Sequence, residues 1–182
     1  MGLSLILDSI SSIIIHTLMK NPFITYCILL AAVFLWCGMI LLAPLASYSG
    51  YAREANFLYT FFSRICHQFD SHSLHLGGEK LGVCARCSAM YFGFFLGIVV
   101  YPLFRPLSDA SLPHRRWLVI AAIPMCFDVF LATFGIHPAT LLTRLFTGSV
   151  FGFIIAFTII PGLRLAVLSL FSSSARHYAD KT

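Results

Sequence analysis

Charge is what this chain has least of. Only 10% of its 182 residues are Asp, Glu, Lys or Arg, and just seven of them are acidic. A soluble domain carries roughly 25% charged residues, so a water-soluble globular protein is excluded. No basic run is interleaved with aromatics in a polar segment, which argues against nucleic-acid binding. Long-period repeats and low-complexity tracts are also missing, so the length fits one domain. A signal peptide fits poorly as well, because the first residues carry no positive charge and no convincing cleavage site follows.

What the chain has instead is grease. Apolar residues make up 59% of it and its mean hydropathy is +0.88. Four apolar stretches approach the roughly 20 residues that a bilayer requires. They run from about Phe23 to Ser47, Ser88 to Phe104, Trp117 to Phe134 and Thr140 to Ile160. Asn21-Pro22 gives the first an N-cap and a proline at the first helical position. Pro124 is a candidate kink in the third, and Pro161-Gly162 marks the expected end of the fourth.

The segment before the first span differs. Leu3, Ile6, Leu7, Ile10, Ile14, Thr17 and Leu18 share one helical face, with Ser4, Asp8, Ser11, Ser12 and His16 opposite. That pattern predicts an amphipathic helix lying flat at the interface; a fifth span is the alternative, with Asp8 and the serines against it. The expected fold is therefore an all-α membrane protein of four transmembrane helices plus an N-terminal interfacial helix. Its expected parts are residues 1–20, a transmembrane domain over 21–164 with a polar loop at 60–88, and a polar tail over 165–182.

Four spans place the termini and the 105–116 loop on one side, with Lys20, Arg105, Arg115, Arg116, Arg164, Arg176 and Lys181. The other side holds Arg53, Arg64, Lys80 and Arg86, diluted by Glu54, Asp70 and Glu79. The positive-inside rule then predicts a multi-pass protein of the cell (inner) membrane with both termini in the cytoplasm. The basic surplus is thereby assigned to loops facing anionic membrane lipids.

The polar loop gathers soft and borderline metal ligands. Three of six cysteines (Cys66, Cys84, Cys87) and three of seven histidines (His67, His72, His75) lie in it. Cys84 and Cys87 have the two-residue gap of thiolates that share a tetrahedral metal, and Cys66 lies eighteen positions earlier. One of the histidines would complete a three-Cys, one-His set. Glycines 77, 78 and 82 let the chain turn back. Zinc fits the ligand types best, with iron as the alternative. Arg86 and the start of the second span would lower the thiol pKa values, which favours metal binding and thiol reactivity alike. A disulfide or redox pair at Cys84–Cys87 is the competing reading. Cys27, Cys37 and Cys126 sit inside spans and read as small buried hydrophobes.

Buried charge is the second signal. Asp128 falls well inside the third span and Arg144 in the first turns of the fourth. Charge at membrane depth pairs or lines a functional cavity. Counting about 1.5 Å per residue back to the short connection that joins the two spans brings both charges toward the face of the Cys/His loop. An Asp128–Arg144 ion pair is the purely structural expectation. Ala89, Gly93 and Gly97, and again Gly148 and Gly152, recur every four residues. Small residues at that spacing let the second and fourth spans pack together or against a second copy in a homo-oligomer.

Cys66-His67-Gln68, then Val83-Cys84-Ala85-Arg86-Cys87, then Tyr91 and Gly93, resemble the signature of an uncharacterised prokaryotic integral membrane protein family, a domain of unknown function. Its later pattern, an Asp in one span and an Arg followed by a small residue and Gly in the next, is similar to Asp128 and Arg144…Gly148. The resemblance covers roughly residues 60–155. The chain departs from it at His72, where an arginine is usual, and at Ser88-Ala89, where Thr-Gly is. It implies that Cys66, His67, Cys84, Cys87, Asp128 and Arg144 belong to one site.

The expected chemistry follows from that set. A metal would act as Lewis acid or activate a water, Asp128 would serve as general base, and Arg144 would hold an anionic group of a lipid, quinone or lipid-linked substrate. If four protein ligands close on zinc, no position stays open and the metal is structural. The non-enzymatic alternatives are a scaffold, transporter subunit or sensor pinned by zinc.

Overall fold

The computed structural model describes residues 21–136 and 139–179, with side chains up to Ser169. The interfacial helix expected over residues 1–20 lies outside the described residues. Among the described residues five helices carry the fold: α1 (Pro22–Tyr48), α2 (Ala52–Ser63), α3 (Ala85–Phe104), α4 (Arg116–Thr133) and α5 (Leu141–Ala179). Between α2 and α3 come a single 3₁₀ turn at Asp70–His72 and a small hairpin, β1 (His75–Leu76) with β2 (Glu79–Lys80). Helices α1, α3, α4 and α5 are each long and apolar enough to cross a membrane. The helical, four-span architecture read from the sequence is the one observed.

Helix α1 starts as its sequence dictates. The Asn21 side chain accepts the Phe23 N–H at 3.1 Å, and Pro22 occupies the first position, where its missing N–H costs nothing. Its other end was not foreseen. Residues 49–51 turn the chain, and α2 runs back along α1, burying Ala55, Leu58 and Phe62. The i, i+3, i+7 spacing of those three residues is an amphipathic signature. What read as the beginning of a loop is thus a helix.

Prolines inside spans release a carbonyl four residues back, and in hydrocarbon that carbonyl needs a new donor. Pro44 releases the Ile40 carbonyl, which accepts the Gly82 N–H at 3.2 Å. Pro102 releases the Ile98 carbonyl, which accepts the Tyr26 hydroxyl at 3.0 Å. Each proline therefore creates an acceptor that ties α1 to another element. The first tie docks the polar loop, and the second joins α1 to α3 at the opposite end.

Pro161-Gly162 does not end the last helix, which continues to Ala179, so the separate tail expected from residue 165 is a continuation of α5. Losing one hydrogen bond costs less than exposing several backbone groups to lipid. At about 1.5 Å per residue, α5 is about 57 Å long, well beyond the ~30 Å hydrocarbon layer.

Helices α3 and α5 form the tightest contact. A Cβ added to Gly148 would lie 2.7 Å from the Arg86 carbonyl oxygen, and one on Gly97 would lie 2.7 Å from the Phe153 carbonyl oxygen. Gly93 and Gly152 abut the backbones of Ser149 and Met90 more closely still. The two small-residue faces thus pack on each other within one chain. Of the two arrangements that this spacing allows, packing of the second and fourth spans on each other is the one seen within the chain. By contrast α4 packs mainly on α5 and buries only Ala121.

Gly152→Ala is expected to lower the melting temperature of the detergent-solubilised protein, an overpacking cost of about 1–3 kcal/mol. Gly38→Ala, with nothing within 4 Å of the added carbon, is the control and is expected to leave it unchanged or raised. Equal melting of the two variants would contradict the packing described.

Candidate metal centre

The polar loop reaches its position through three local devices. Gly77 and Gly78, at φ +63 and +88, make the tight turn between β1 and β2. Two consecutive positive φ values suit the twist of a two-residue hairpin and are cheap only for glycine. Gly82 serves differently, by close approach: its added Cβ would sit 2.9 Å from Phe62 and 3.3 Å from the Ile40 carbonyl oxygen. Gln68 is the third device. Its side chain donates to the Tyr59 carbonyl at 2.9 Å and the Gly82 carbonyl at 2.7 Å, pinning both limbs of the loop. Its own backbone is left-handed, at φ 51.

These devices bring three thiols together. The sulfurs of Cys66, Cys84 and Cys87 lie within 4.8 Å of one another, and all three are free thiols. Cys66 follows α2, whereas Cys84 caps the start of α3 and Cys87 lies in its first turn. The bed beneath them is apolar and aromatic: Phe62, Ile40, Leu81 and Val83 are buried, with Trp36 and Tyr91 packed alongside. Trp36 meets Phe62 and Tyr91 edge-on at centroid distances of 5.6 and 5.7 Å.

Cys66 accepts hydrogen bonds that favour its ionised form. Its thiol is held well below the ordinary thiol range, first by hydrogen bonds from the Cys84 and Cys87 side chains; burial opposes them, and the Cys84 and Gln68 backbone N–H groups add to them. The Cys84 N–H reaches the Cys66 sulfur at 3.2 Å. Backbone donors aimed at sulfur from two turns of chain suit a thiolate, the form in which cysteine binds metals.

The other residues expected at the site divide. The His67 ring is exposed and stacks on Phe69 at 5.9 Å, and it is not among the donors that converge within 4.8 Å. His75 pairs with Asp70 at 3.2 Å, on the outside of the loop. Asp128 is engaged, though not with Arg144. Its carboxylate pairs with the Arg86 guanidinium, from between the two α3 cysteines, and the two side chains are only 12% and 17% exposed. Arg144 instead donates Nε–H to the Ala139 carbonyl at 3.2 Å. The Asp128–Arg144 pair is replaced because the start of α3, and not that of α5, faces Asp128. No sequence distance could rank the two arginines.

A cavity of ≈ 620 Å³ opens in front of the thiols. The three cysteines, His67, His72, Arg86 and Arg144 line it, and Val129, Ala132 and Thr133 of α4 form a further wall. Asp128 supports that wall through Arg86. Sequence reasoning missed two contributors, Gln68 as the clasp of the loop and Arg86 as the partner of Asp128. The Cys-His-Gln and Cys-Ala-Arg-Cys motifs held both in view without revealing their contacts.

Removing one member of a buried ion pair strands the other, at about 3–5 kcal/mol. Asp128→Leu alone is therefore expected to destabilise severely, whereas Arg86→Met with Asp128→Leu recovers most of the loss. A double-mutant cycle read by thermal unfolding in detergent checks this, and additive losses would rule out the pair.

Comparison with known proteins shows a membrane protein family. A family model described as a predicted membrane protein (DUF2085) matches residues 66–158, a stretch that contains the three thiols, Asp128 and Arg144. The chain is also similar to an uncharacterized protein, MJ1492, of Methanocaldococcus jannaschii: 35% identical over 143 residues, covering 75% of this chain and 90% of the relative. No solved structure matches. The chain belongs to the DUF2085 family of predicted membrane proteins.

Proposed function

We propose that this protein is a membrane metalloprotein whose Cys66, Cys84 and Cys87 thiolates hold one zinc ion at the outer face of the bilayer, with the fourth coordination position open to the cavity. The observation that carries this reading is the convergence of three thiols on the wall of a cavity, without a fourth protein donor in the same cluster among the described residues. A closed four-ligand set would make zinc structural; a three-ligand set leaves room for water or substrate. Such an ion supplies a Lewis acid or an activated water. Iron remains the alternative occupant on ligand type.

The protein side chains take definite roles in this reading. Cys66 contributes a ligand whose ionised form is favoured by the hydrogen bonds it accepts. Arg86 fixes the Cys84–Cys87 turn against α4 through Asp128, so Asp128 acts as a positioning residue rather than a free base. Position at a membrane face suits a lipid, quinone or lipid-linked substrate. The excess of Lys and Arg on the opposite side favours cytoplasmic termini and an extracytoplasmic cavity.

Metal analysis of purified protein tests the reading. About one zinc per chain is expected. A Cys→Ser change at any of the three positions should weaken zinc binding at least tenfold, and His67→Ala should leave the stoichiometry unchanged. Loss of the ion in His67→Ala would make His67 the fourth ligand and the centre structural. A metal-free protein with an oxidised Cys84–Cys87 pair would replace both readings with thiol–disulfide exchange.

A further inference from the structure

Two guanidinium groups reach the cavity, and only one is neutralised. Arg86 is held by Asp128. Arg144 is only 9% exposed, and among the described residues its side chain makes one hydrogen bond, from Nε to the Ala139 carbonyl. It has no carboxylate partner among the described residues. None of the described residues lining the cavity is acidic. A buried cation without a counter-charge costs several kcal/mol, so the site is built to be completed by an anion. The remaining guanidinium donors form a planar fork that matches the oxygens of a phosphate.

The surroundings point to where that phosphate comes from. Thr143 and Thr147, one residue before Arg144 and three after it, border an apolar groove of ≈ 1100 Å³ along α3 and α5. Phe92, Leu96, Leu142, Phe146, Val150 and Ile154 line it. A groove of this kind on a membrane-spanning helix pair accepts an acyl chain, and Arg144 stands at the end of α5 where a head group would lie.

We propose that the cavity binds the phosphate group of an anionic lipid, with Arg144 as the anion ligand and the α3–α5 groove as the bed for an acyl chain. This deepens the reading of the metal centre by naming the ligand class of the same cavity, and for the role of that cavity it rests on that reading.

The test titrates the detergent-solubilised full chain with dihexanoyl phosphatidate, dihexanoylglycerol and inorganic phosphate, and reads binding by calorimetry. Saturable binding of the phosphatidate is expected, at least tenfold tighter than either other probe. Arg144→Gln should weaken it at least tenfold, and Arg144→Lys less. Equal affinity for the neutral glyceride would overturn the anion site. Equal affinity for inorganic phosphate would overturn the lipid as its source. Undiminished binding by a folded Arg144→Gln variant would remove Arg144 from the site; if that variant does not fold, the comparison of the three probes on the unaltered protein still decides. Cys84→Ser separates the two readings: phosphatidate binding retained without metal sustains this inference while the metal centre falls, and metal held without phosphatidate preference does the reverse.

Discussion

The hydrogen bond from the Gly82 N–H to the Ile40 carbonyl is the contact on which the site depends. A backbone acceptor inside a membrane helix is normally consumed by its own helix, and only Pro44 makes this one available. The freed acceptor sets the depth at which the loop docks. Gly82, with no Cβ to collide with Phe62, can come close enough to use it. One residue further on, Val83 is fully buried, and Cys84 then begins α3. The register of the thiols therefore follows from a proline some forty residues earlier.

A second layer of order comes from groups that serve two elements at once. Gln68 clasps α2 and the 82–84 segment by donating to the Tyr59 and Gly82 carbonyls. Arg86 belongs to the cysteine turn by sequence and to α4 by its ion pair. Its backbone carbonyl also faces Gly148, so α5 presses against the same turn. The first turn of α3 is consequently held from three directions. Rigidity of that kind is what a ligand set requires if its geometry is to select an ion.

Much of this was legible in the sequence, for identifiable reasons. Hydropathy marks α1, α3 and α4 within a few residues, because the bilayer enforces both length and composition. The meeting of α3 and α5 was foreshadowed by Gly93, Gly97, Gly148 and Gly152, since nothing else lets two backbones approach so closely. Helix α2 was hidden by Arg53, Glu54 and Arg64, whose charge makes a short amphipathic helix look like loop. Pro161 misled about the end of α5, because proline terminates helices in water far more readily than in lipid. The partner of Asp128 was unreadable for a different reason. Arg86 and Arg144 lie at comparable depth, and choosing between them requires the rotation of α4 about its own axis.

The composition of the cavity wall also bears on how the protein is made. Its lining comes from the segment after α2, the first turn of α3, the end of α4 and the start of α5. During synthesis from the N-terminus the three thiols emerge early, yet Arg144 follows Cys87 by fifty-seven positions. A nascent chain halted between α3 and α4 would hold all its sulfur ligands without the chamber they face. The pocket is thus completed only once the start of α5 has joined the other three segments.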